Sequence, residues 1–235
     1  MIIDCEFYYA KDRGLDWIRQ RCAEAGIDKA VLVYFYNPKQ HGQAEAFAEE
    51  LRGDDMFRGC IWLDPKPRDA AVATLETAVK DWGWKALKLM PMTENFSCVS
   101  RVADPVVKKA QELGIVVNIH TGGQNSHPLE IGELALRFPE VPIIMDHMGY
   151  RYDVPAAIAV ARRSPNVYLM PTAVMEPKPI ANAVKTLGAE RVLFGTNAPG
   201  VWPETQLMVV RQAGLAPEDE EKVLGRNAAP MFGWE

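Results

Sequence analysis

Two short apolar segments, each ending in a histidine and a glycine, constrain the fold of this chain most strongly. They are residues 115–122, IVVNIHTG, and residues 142–149, PIIMDHMG. A nearly continuous apolar run rich in valine and isoleucine is typical of a parallel strand covered by helices on both faces. A histidine at the carboxyl end of such a strand points to the edge of the sheet where α/β proteins bind ligands. His120 and His147 take this position, so the two segments predict a site.

The rest of the chain alternates predicted strands and helices, with no linker or low-complexity segment between them. The predicted strands are residues 2–8, 30–35, 57–63, 84–90, 115–122, 142–149, 167–170 and 192–195. The predicted helices are residues 15–25, 43–51, 70–82, 105–113, 128–138, 155–163, 180–187 and 204–213, followed by a terminal helical segment, 217–231. Strict alternation indicates a parallel sheet, and eight such units predict a single-domain TIM (β/α)8 barrel over residues 1–235. A doubly wound open sheet is the alternative, but residues 8–11, YYAK, lack its glycine-rich first turn.

Composition limits the partners and the compartment. The chain has 235 residues, is 48% hydrophobic, and carries a net charge of −5 without a basic stripe, which argues against nucleic-acid and anionic-membrane partners. It has no apolar run of about 18 residues and no signal-peptide pattern at its start. Its four cysteines form no CxxC pair, as expected of reduced thiols. We therefore expect a cytoplasmic protein with a small-molecule substrate. The sequence does not decide between a monomer and a homodimer.

The predicted strand ends bring together polar side chains from distant parts of the sequence. Glu6 and Tyr8 are two residues apart and share a strand face. The side chains at or just beyond later strand ends are Lys88, His120, His147, Thr172, Thr196 and Asn197. Strand alternation predicts that Asp146 faces away from its neighbour His147. Arg151, shortly after the sixth strand, is a candidate for binding an anionic substrate. His127, directly before Pro128, is expected to cap the following helix or to be exposed to solvent.

The motifs as a group resemble those of a known family. The succession IIDCEFYY, ALKLMP, VVNIHTG, IIMDHMG and RVLFGTNAPG, closed by GRNAAPMFGW, resembles the amidohydrolase-related (amidohydrolase 2) metal-dependent hydrolases. The resemblance implies a TIM barrel with one divalent metal at its mouth. It also implies hydrolysis, or decarboxylation as in the relatives that act on aminocarboxymuconate semialdehyde and hydroxybenzoates.

Several positions depart from what this resemblance implies. Glu6 and Tyr8 stand where the family has a His-x-His pair of metal ligands, and Asn197 stands where it has an aspartate that binds the metal and acts as the general base. His120 is retained, and His147 matches a histidine that lies beside the metal or takes part in catalysis. An asparagine cannot accept a proton from water as an aspartate can.

The remaining groups still predict a centre. Glu6, His120 and His147 form a set of two histidines and one carboxylate, which predicts a divalent metal, zinc first and manganese or iron as alternatives. We expect His147, Glu6 and Asn197 to be catalytic residues. The expected substrate-binding residues are Tyr8, Lys88 and Arg151. An ion pair between Glu6 and Lys88 is the main structural alternative, because an unpaired carboxylate is costly to bury.

Three functions follow from these residues. The first is a metal-assisted hydrolase of a small, carboxylated organic substrate with an ester, lactone or amide-like bond, or a related decarboxylase. The second is a metal-independent hydrolase of the lactonase type, with Glu6 or His120 as the base and Lys88 or Arg151 stabilising the oxyanion. The third is a non-catalytic barrel that binds a metabolite or a protein partner through a degenerate metal site.

Overall fold

Seven parallel strands form one curled sheet in the computed structural model of the protein, which describes residues 1–234. Each strand pairs with the next one along the chain, in the order β1 to β7. The strands are β1 (Ile3–Tyr8), β2 (Lys29–Phe35), β3 (Phe57–Trp62), β4 (Ala86–Leu89), β5 (Val116–Ile119), β6 (Ile143–Asp146) and β7 (Val167–Met170). This order is the one that the strict alternation of strands and helices predicts.

Helices follow the strands and cover the outside of the sheet. They are α1 (Gly14–Ala25), α2 (His41–Glu50), α3 (Asp69–Lys80), α4 (Pro91–Glu94), α5 (Asp104–Leu113), α6 (Pro128–Arg137), α7 (Val154–Arg163), α8 (Pro177–Leu187), α9 (Pro203–Arg211), α10 (Pro217–Glu221) and α11 (Ala228–Phe232). The terminal helical segment predicted at 217–231 is therefore not one helix, because a π-helical turn, Lys222–Arg226, separates α10 from α11. Within residues 1–234 no helix has the length and apolar character needed to cross a membrane.

The local signals at α5 explain why its ends are where the sequence predicts. Pro105 lies in the first turn, where its missing N–H costs no hydrogen bond. Gly114 follows the helix with a φ of 66°, and its N–H donates to the carbonyl of Ala110 or Gln111. A left-handed residue of this kind ends a helix most easily when it is glycine.

The barrel is closed by residues 192–198, which do not form the regular eighth strand that the sequence predicts and which include a left-handed residue, Asn197, with a φ of 65°. The N–H of Leu193 donates to the carbonyl of Leu169 on β7 at 2.9 Å. On the other side, the N–H of Tyr8 on β1 donates to the carbonyl of Ala198 at 2.7 Å. The segment thus joins both edges of the sheet and completes the TIM barrel.

The side chain of Asp4 also binds this closing segment. Its Oδ1 accepts from the N–H of Thr196 at 2.9 Å and from the N–H of Glu6 at 3.0 Å, and its Oδ2 accepts from the Thr196 hydroxyl at 2.6 Å. These bonds add to the backbone bonds between β1 and the closing segment, from the Cys5 N–H to the Phe194 carbonyl at 3.0 Å and from the Asn197 N–H to the Glu6 carbonyl at 2.9 Å. The Asp4 carboxyl thus helps to hold the closing segment against β1.

Alternation along the strands divides the interior of the barrel into layers. Ala86, Val116 and Ile144 point inwards and belong to one apolar cluster inside the barrel. Leu87, Val117 and Ile143 point outwards and pack in the larger cluster between the sheet and the helices. Two residues beyond the inward-facing set, towards the carboxyl ends of the strands, the same faces carry Lys88, Asn118 and Asp146. The apolar layer thus forms the floor of a polar layer.

Candidate active site at the carboxyl ends of the strands

The polar layer is organised around the ammonium group of Lys88. Its Nζ lies 2.5 Å from Glu6 Oε2 and 3.3 Å from Asn118 Oδ1, and it also bonds Asp146 Oδ2. Asn118 Nδ2 donates to Glu6 Oε2 at 2.7 Å, which fixes the orientation of the amide. Lys88, Glu6 and Asp146 are all fully buried. Three acceptors use the three N–H groups of the ammonium, so the ion pair predicted between Glu6 and Lys88 is confirmed and extended to Asp146.

The charges of this acid–lysine cluster, defined as Glu6, Lys88 and Asp146, set its protonation. Burial raises the pKa of Glu6, and the negative charge of Asp146 raises it further. Burial also disfavours the charged form of Asp146, but His147 and Lys88 outweigh it and lower the pKa of that carboxyl. Burial opposes the charge on Lys88 as well, yet Asp146 and Glu6 hold its pKa well above the usual value. Asp146 and Lys88 therefore stay ionised, and Glu6 is the member that takes up a proton most readily.

One oxygen of Glu6 is left over. Among residues 1–234, Glu6 Oε1 is buried and has no hydrogen-bond partner. A buried oxygen in this state costs about 1–3 kcal/mol if nothing satisfies it. A protonated Oε1 would be a donor available to a bound molecule.

His147 is held in one tautomer. Its Nδ1 lies 2.8 Å from the carbonyl oxygen of Thr172, and because a carbonyl can only accept, Nδ1 must carry the hydrogen. The backbone N–H of His147 also donates to the Thr172 hydroxyl at 2.9 Å. When the ring is neutral, Nε2 therefore carries the lone pair; when the ring is protonated, Nε2 carries a hydrogen 3.7 Å from Asp146 Oδ2. Histidines that act as bases or as metal ligands are commonly oriented by such a bond.

His120 lies beside His147, with 4.9 Å between the ring centroids. Its Nδ1 is 3.4 Å from Ser126 Oγ and its Nε2 is 3.4 Å from the hydroxyl of Tyr150. Burial, together with the nearby His147, lowers the pKa of His120 to about 3. His120 is therefore neutral at physiological pH, which suits a hydrogen-bonding or ligand role better than that of a proton carrier.

Tyr150 covers both histidines. Its ring stacks on that of His147, with centroids 4.2 Å apart and planes 15° apart. The turn that places it has positive φ at His147, Met148, Gly149 and Tyr150, with values of 52°, 33°, 86° and 53°. Such conformations cost about 1–3 kcal/mol at each non-glycine residue and are concentrated at functional sites. Gly122 makes room for the ring, because a Cβ there would lie 2.6 Å from Tyr150 Cδ2.

This turn also explains why the prediction for Asp146 is wrong. Strand alternation predicted that His147 points inwards and Asp146 outwards. In the structure, Asp146 points inwards like Ile144, two residues before it, and bonds Lys88. Strict alternation ends at His147, whose positive φ turns its side chain back towards the mouth. Both neighbouring residues therefore belong to the site.

The other predicted residues lie around the mouth of the barrel. Tyr8 packs edge-on against Trp62, and its hydroxyl lies 4.0 Å from Met90 Sδ. Asn197 is partly buried, and its backbone N–H donates to the carbonyl of Glu6 at 2.9 Å. Arg151 is exposed, with its Nε 3.9 Å from Glu176 Oε1. Asn118, which sequence reasoning missed, could have been found as the one polar residue on the inward face of β5.

The contacts of Lys88 bear directly on the predicted metal centre. The group whose ligand atoms lie within 4.8 Å of one another is Glu6, Asp146 and His147, without His120. A divalent ion bound to both carboxylates would have to share Glu6 Oε2 and Asp146 Oδ2 with the Lys88 ammonium, and the two positive charges repel each other. The residues present therefore do not fit a divalent metal while Lys88 lies between the carboxylates, and zinc on Glu6, His120 and His147 stays a prediction.

The fold and the site define a TIM-barrel enzyme whose functional groups lie at the carboxyl ends of the strands. The family model described as amidohydrolase (Amidohydro_2) matches residues 8–234. The chain therefore belongs to the amidohydrolase family, whose members are metal-dependent enzymes, and the resemblance in its motifs is confirmed. No curated protein sequence matches it.

Solved structures share the fold at low sequence identity. An uncharacterised TIM-barrel protein from Bordetella bronchiseptica is 24% identical, with a TM-score of 0.79 over 94% of this chain and 83% of that one. A 5-carboxyvanillate decarboxylase from Sphingomonas paucimobilis is 16% identical, with a TM-score of 0.77 over 100% and 99%. A dihydroxybenzoic acid decarboxylase from Polaromonas with bound manganese is 17% identical, with a TM-score of 0.76 over 98% and 96%.

Proposed function

We propose that the protein hydrolyses an ester, lactone or amide-like bond in a small carboxylated substrate. The observation that carries this proposal is the tautomer of His147, whose Nε2 lone pair faces the acid–lysine cluster because Nδ1 donates to Thr172. An imidazole held in this way can take a proton from an attacking water.

Glu6 would complete the proton transfers. Its pKa is raised by burial and by Asp146, and its Oε1 is unpartnered among the described residues. As water attacks the substrate carbonyl, a C–O bond forms and one proton moves to His147. The bond to the leaving atom then breaks, and that atom takes the proton from Glu6. His147, with a ring nitrogen within 4.8 Å of a Glu6 oxygen, then returns its proton to Glu6 and both groups are restored. Acid–base catalysis commonly uses two groups whose environments leave one protonated, as the acid, and the other deprotonated, as the base.

The neighbouring side chains have supporting roles. Asn197 cannot take the proton, but its amide can donate to the substrate carbonyl, and Tyr8 can donate through its hydroxyl. Lys88 has no N–H left for substrate and serves to keep Asp146 ionised beside His147. Tyr150 must move for a substrate to reach His147, because its ring stacks on the imidazole.

A small cavity lies beside Tyr150. It has a volume of about 260 Å³ and is lined by Tyr150, Arg151, Met175 and Glu176, among others, so a substrate carboxylate would have to compete with Glu176 for Arg151. This is below the range of about 300–1,000 Å³ typical of pockets for drug-sized ligands. Arg151 can bind a carboxylate through two parallel N–H groups. The decarboxylases with the same fold also act on carboxylated aromatic compounds, by their names.

A substrate screen with one matched pair of variants tests the proposal. Lactones and esters that carry a carboxylate are offered to the wild type, to His147→Gln and to His127→Gln. Glutamine keeps hydrogen bonding but not basicity, so kcat should fall by about 10²–10⁴-fold in His147→Gln. His127 caps α6 outside the site, and its variant should keep wild-type kcat. Full activity in His147→Gln would contradict the proposal.

Decarboxylation is a second candidate, favoured by the raised pKa of Glu6 together with the decarboxylases among the structural neighbours. In that reaction the bond to the carboxylate breaks, CO₂ leaves, and the carbon takes the proton of Glu6. The two reactions are separated by their products. Hydrolysis incorporates ¹⁸O from labelled water, whereas decarboxylation releases CO₂ without incorporation.

A further inference from the structure

We propose that the Lys88 ammonium takes the place of the divalent metal in this chain, and that removing it turns Glu6 and Asp146 into a metal site. The proposal concerns what holds the two carboxylates together, so it does not rest on the hydrolase assignment. It goes against the metal expected from the family and from the predicted Glu6, His120 and His147 set.

The first argument is the position of the lysine. Lys88 lies on β4 between β3 and β5, and its inward-facing side chain rises from the apolar layer formed by Ala86, Val116 and Ile144. The side chain is fully buried, so it has no water to solvate its charge. A buried ammonium stays charged only with good partners, and the barrel provides two carboxylates and an amide.

The second argument is how the oxygens are used. Glu6 Oε2 accepts from both Lys88 and Asn118, and Asp146 Oδ2 accepts from Lys88. Asp146 Oδ1 accepts from the backbone N–H of Thr121 at 3.0 Å. Within residues 1–234, Glu6 Oε1 is the one of the four carboxylate oxygens that has no hydrogen-bond partner. A single free oxygen with one imidazole is a weak site for a divalent ion.

The third argument is the identity of the residues at the positions of the family's metal ligands. The positions of three family ligands are occupied by Glu6, Tyr8 and Asn197, and a phenol and an amide are poor replacements for an imidazole and a carboxylate. A site that has lost these donors needs another positive charge to balance Glu6 and Asp146. Lys88 provides that charge from within the chain.

Metal binding to the intact protein tests the proposal without any substrate. Manganese is the probe, because oxygen and nitrogen donors bind it and buried thiols do not. Mn²⁺ binding is measured by equilibrium dialysis and electron paramagnetic resonance for the wild type, Lys88→Ala and Lys85→Ala. Lys85 is an exposed lysine just before β4 and serves as the matched control.

The wild type and Lys85→Ala should bind no stoichiometric Mn²⁺. Lys88→Ala should bind about one ion per chain, with an increase in its melting temperature on Mn²⁺ addition, because a ligand that binds only the folded state stabilises it. The double variant Lys88→Ala/Glu6→Gln should lose this binding. If Lys88→Ala binds no more Mn²⁺ than the wild type, the proposal fails.

A second result overturns the proposal even if Lys88→Ala does not fold. That result is stoichiometric Mn²⁺ binding by the wild type that disappears in Glu6→Gln. Failure of the hydrolase assignment would leave both measurements unchanged, since neither uses turnover.

Discussion

Replacing Asp4 by asparagine should change how the stability of the protein depends on pH. Burial raises the pKa of Asp4 to about 7, although hydrogen bonds from the Thr196 hydroxyl and from the backbone N–H groups of Glu6 and Thr196 oppose the shift. In the unfolded chain the carboxyl has its ordinary pKa of about 3.9. Between about pH 4 and pH 7, the folded protein therefore holds a proton that the unfolded chain has lost.

The sign and the size of the effect follow from this difference. The contribution of Asp4 to the free energy of unfolding is fully present below about pH 4 and is lost as the pH rises through about 7. A shift of about 3 pKa units corresponds to about 4 kcal/mol, of which about 3 kcal/mol lies between pH 5 and pH 8.5. Asparagine has nearly the same shape, and it can still accept from the two N–H groups and donate to the Thr196 hydroxyl.

The assay is urea unfolding of the wild type and Asp4→Asn at several values between pH 5 and pH 8.5. The variant should be more stable than the wild type by about 1.5 kcal/mol at pH 5 and by about 4 kcal/mol at pH 8.5, so its advantage should grow by about 3 kcal/mol over this range. Asp55→Asn is the control, because the side chain of Asp55 is 84% exposed. Parallel pH profiles for the wild type and Asp4→Asn would refute the reasoning.

Two further substitutions test the mouth of the barrel. Gly122→Ala places a Cβ 2.6 Å from Tyr150 at a φ of +106°, so it should lower the free energy of unfolding by about 1–3 kcal/mol. Thermal denaturation measures the effect, with Gly42→Ala as the control because its added Cβ meets no atom within 4 Å. Equal melting temperatures for the two variants would contradict the packing argument. Arg151→Met should raise KM for a carboxylated substrate by roughly tenfold and leave kcat unchanged, because the lost interaction with the carboxylate stabilises the bound substrate and the transition state equally. An unchanged KM would exclude Arg151 from substrate binding.

The sequence predicts the barrel well because the fold depends on patterns that repeat along the chain. Apolar strands alternating with helices specify parallel pairing, and β1 to β7 follow the predicted order. The sequence predicts a strand at 192–195, but its irregularity could not be predicted, because residues 192–198 bond the Asp4 side chain as well as the backbone of β1 and β7. That contact joins residues almost 200 positions apart and leaves no local signal.

The sequence predicted part of the candidate site. Strand-end position alone identified Glu6, Lys88, His120 and His147, and the structure places all four at one end of the barrel. The role of Asp146 was missed because the positive φ of His147 breaks the period of two on which the prediction depended.

Tyr150 and Asn118 were missed for other reasons. Tyr150 reaches His147 only through the strained turn, which sequence alone does not reveal. Asn118 was not considered because residues 115–122 were treated as an apolar run, although its inward face places it against Lys88 and Glu6.

Turnover after metal removal tests most directly whether Lys88 provides the positive charge of this site. The enzyme is dialysed against a chelator, its metal content is measured, and hydrolysis of the substrate found in the screen is followed before and after Mn²⁺ is added back. The account predicts the same kcat in all three states. Loss of activity on chelation with recovery on Mn²⁺ would contradict it and would place a divalent ion among Glu6, Asp146 and His147.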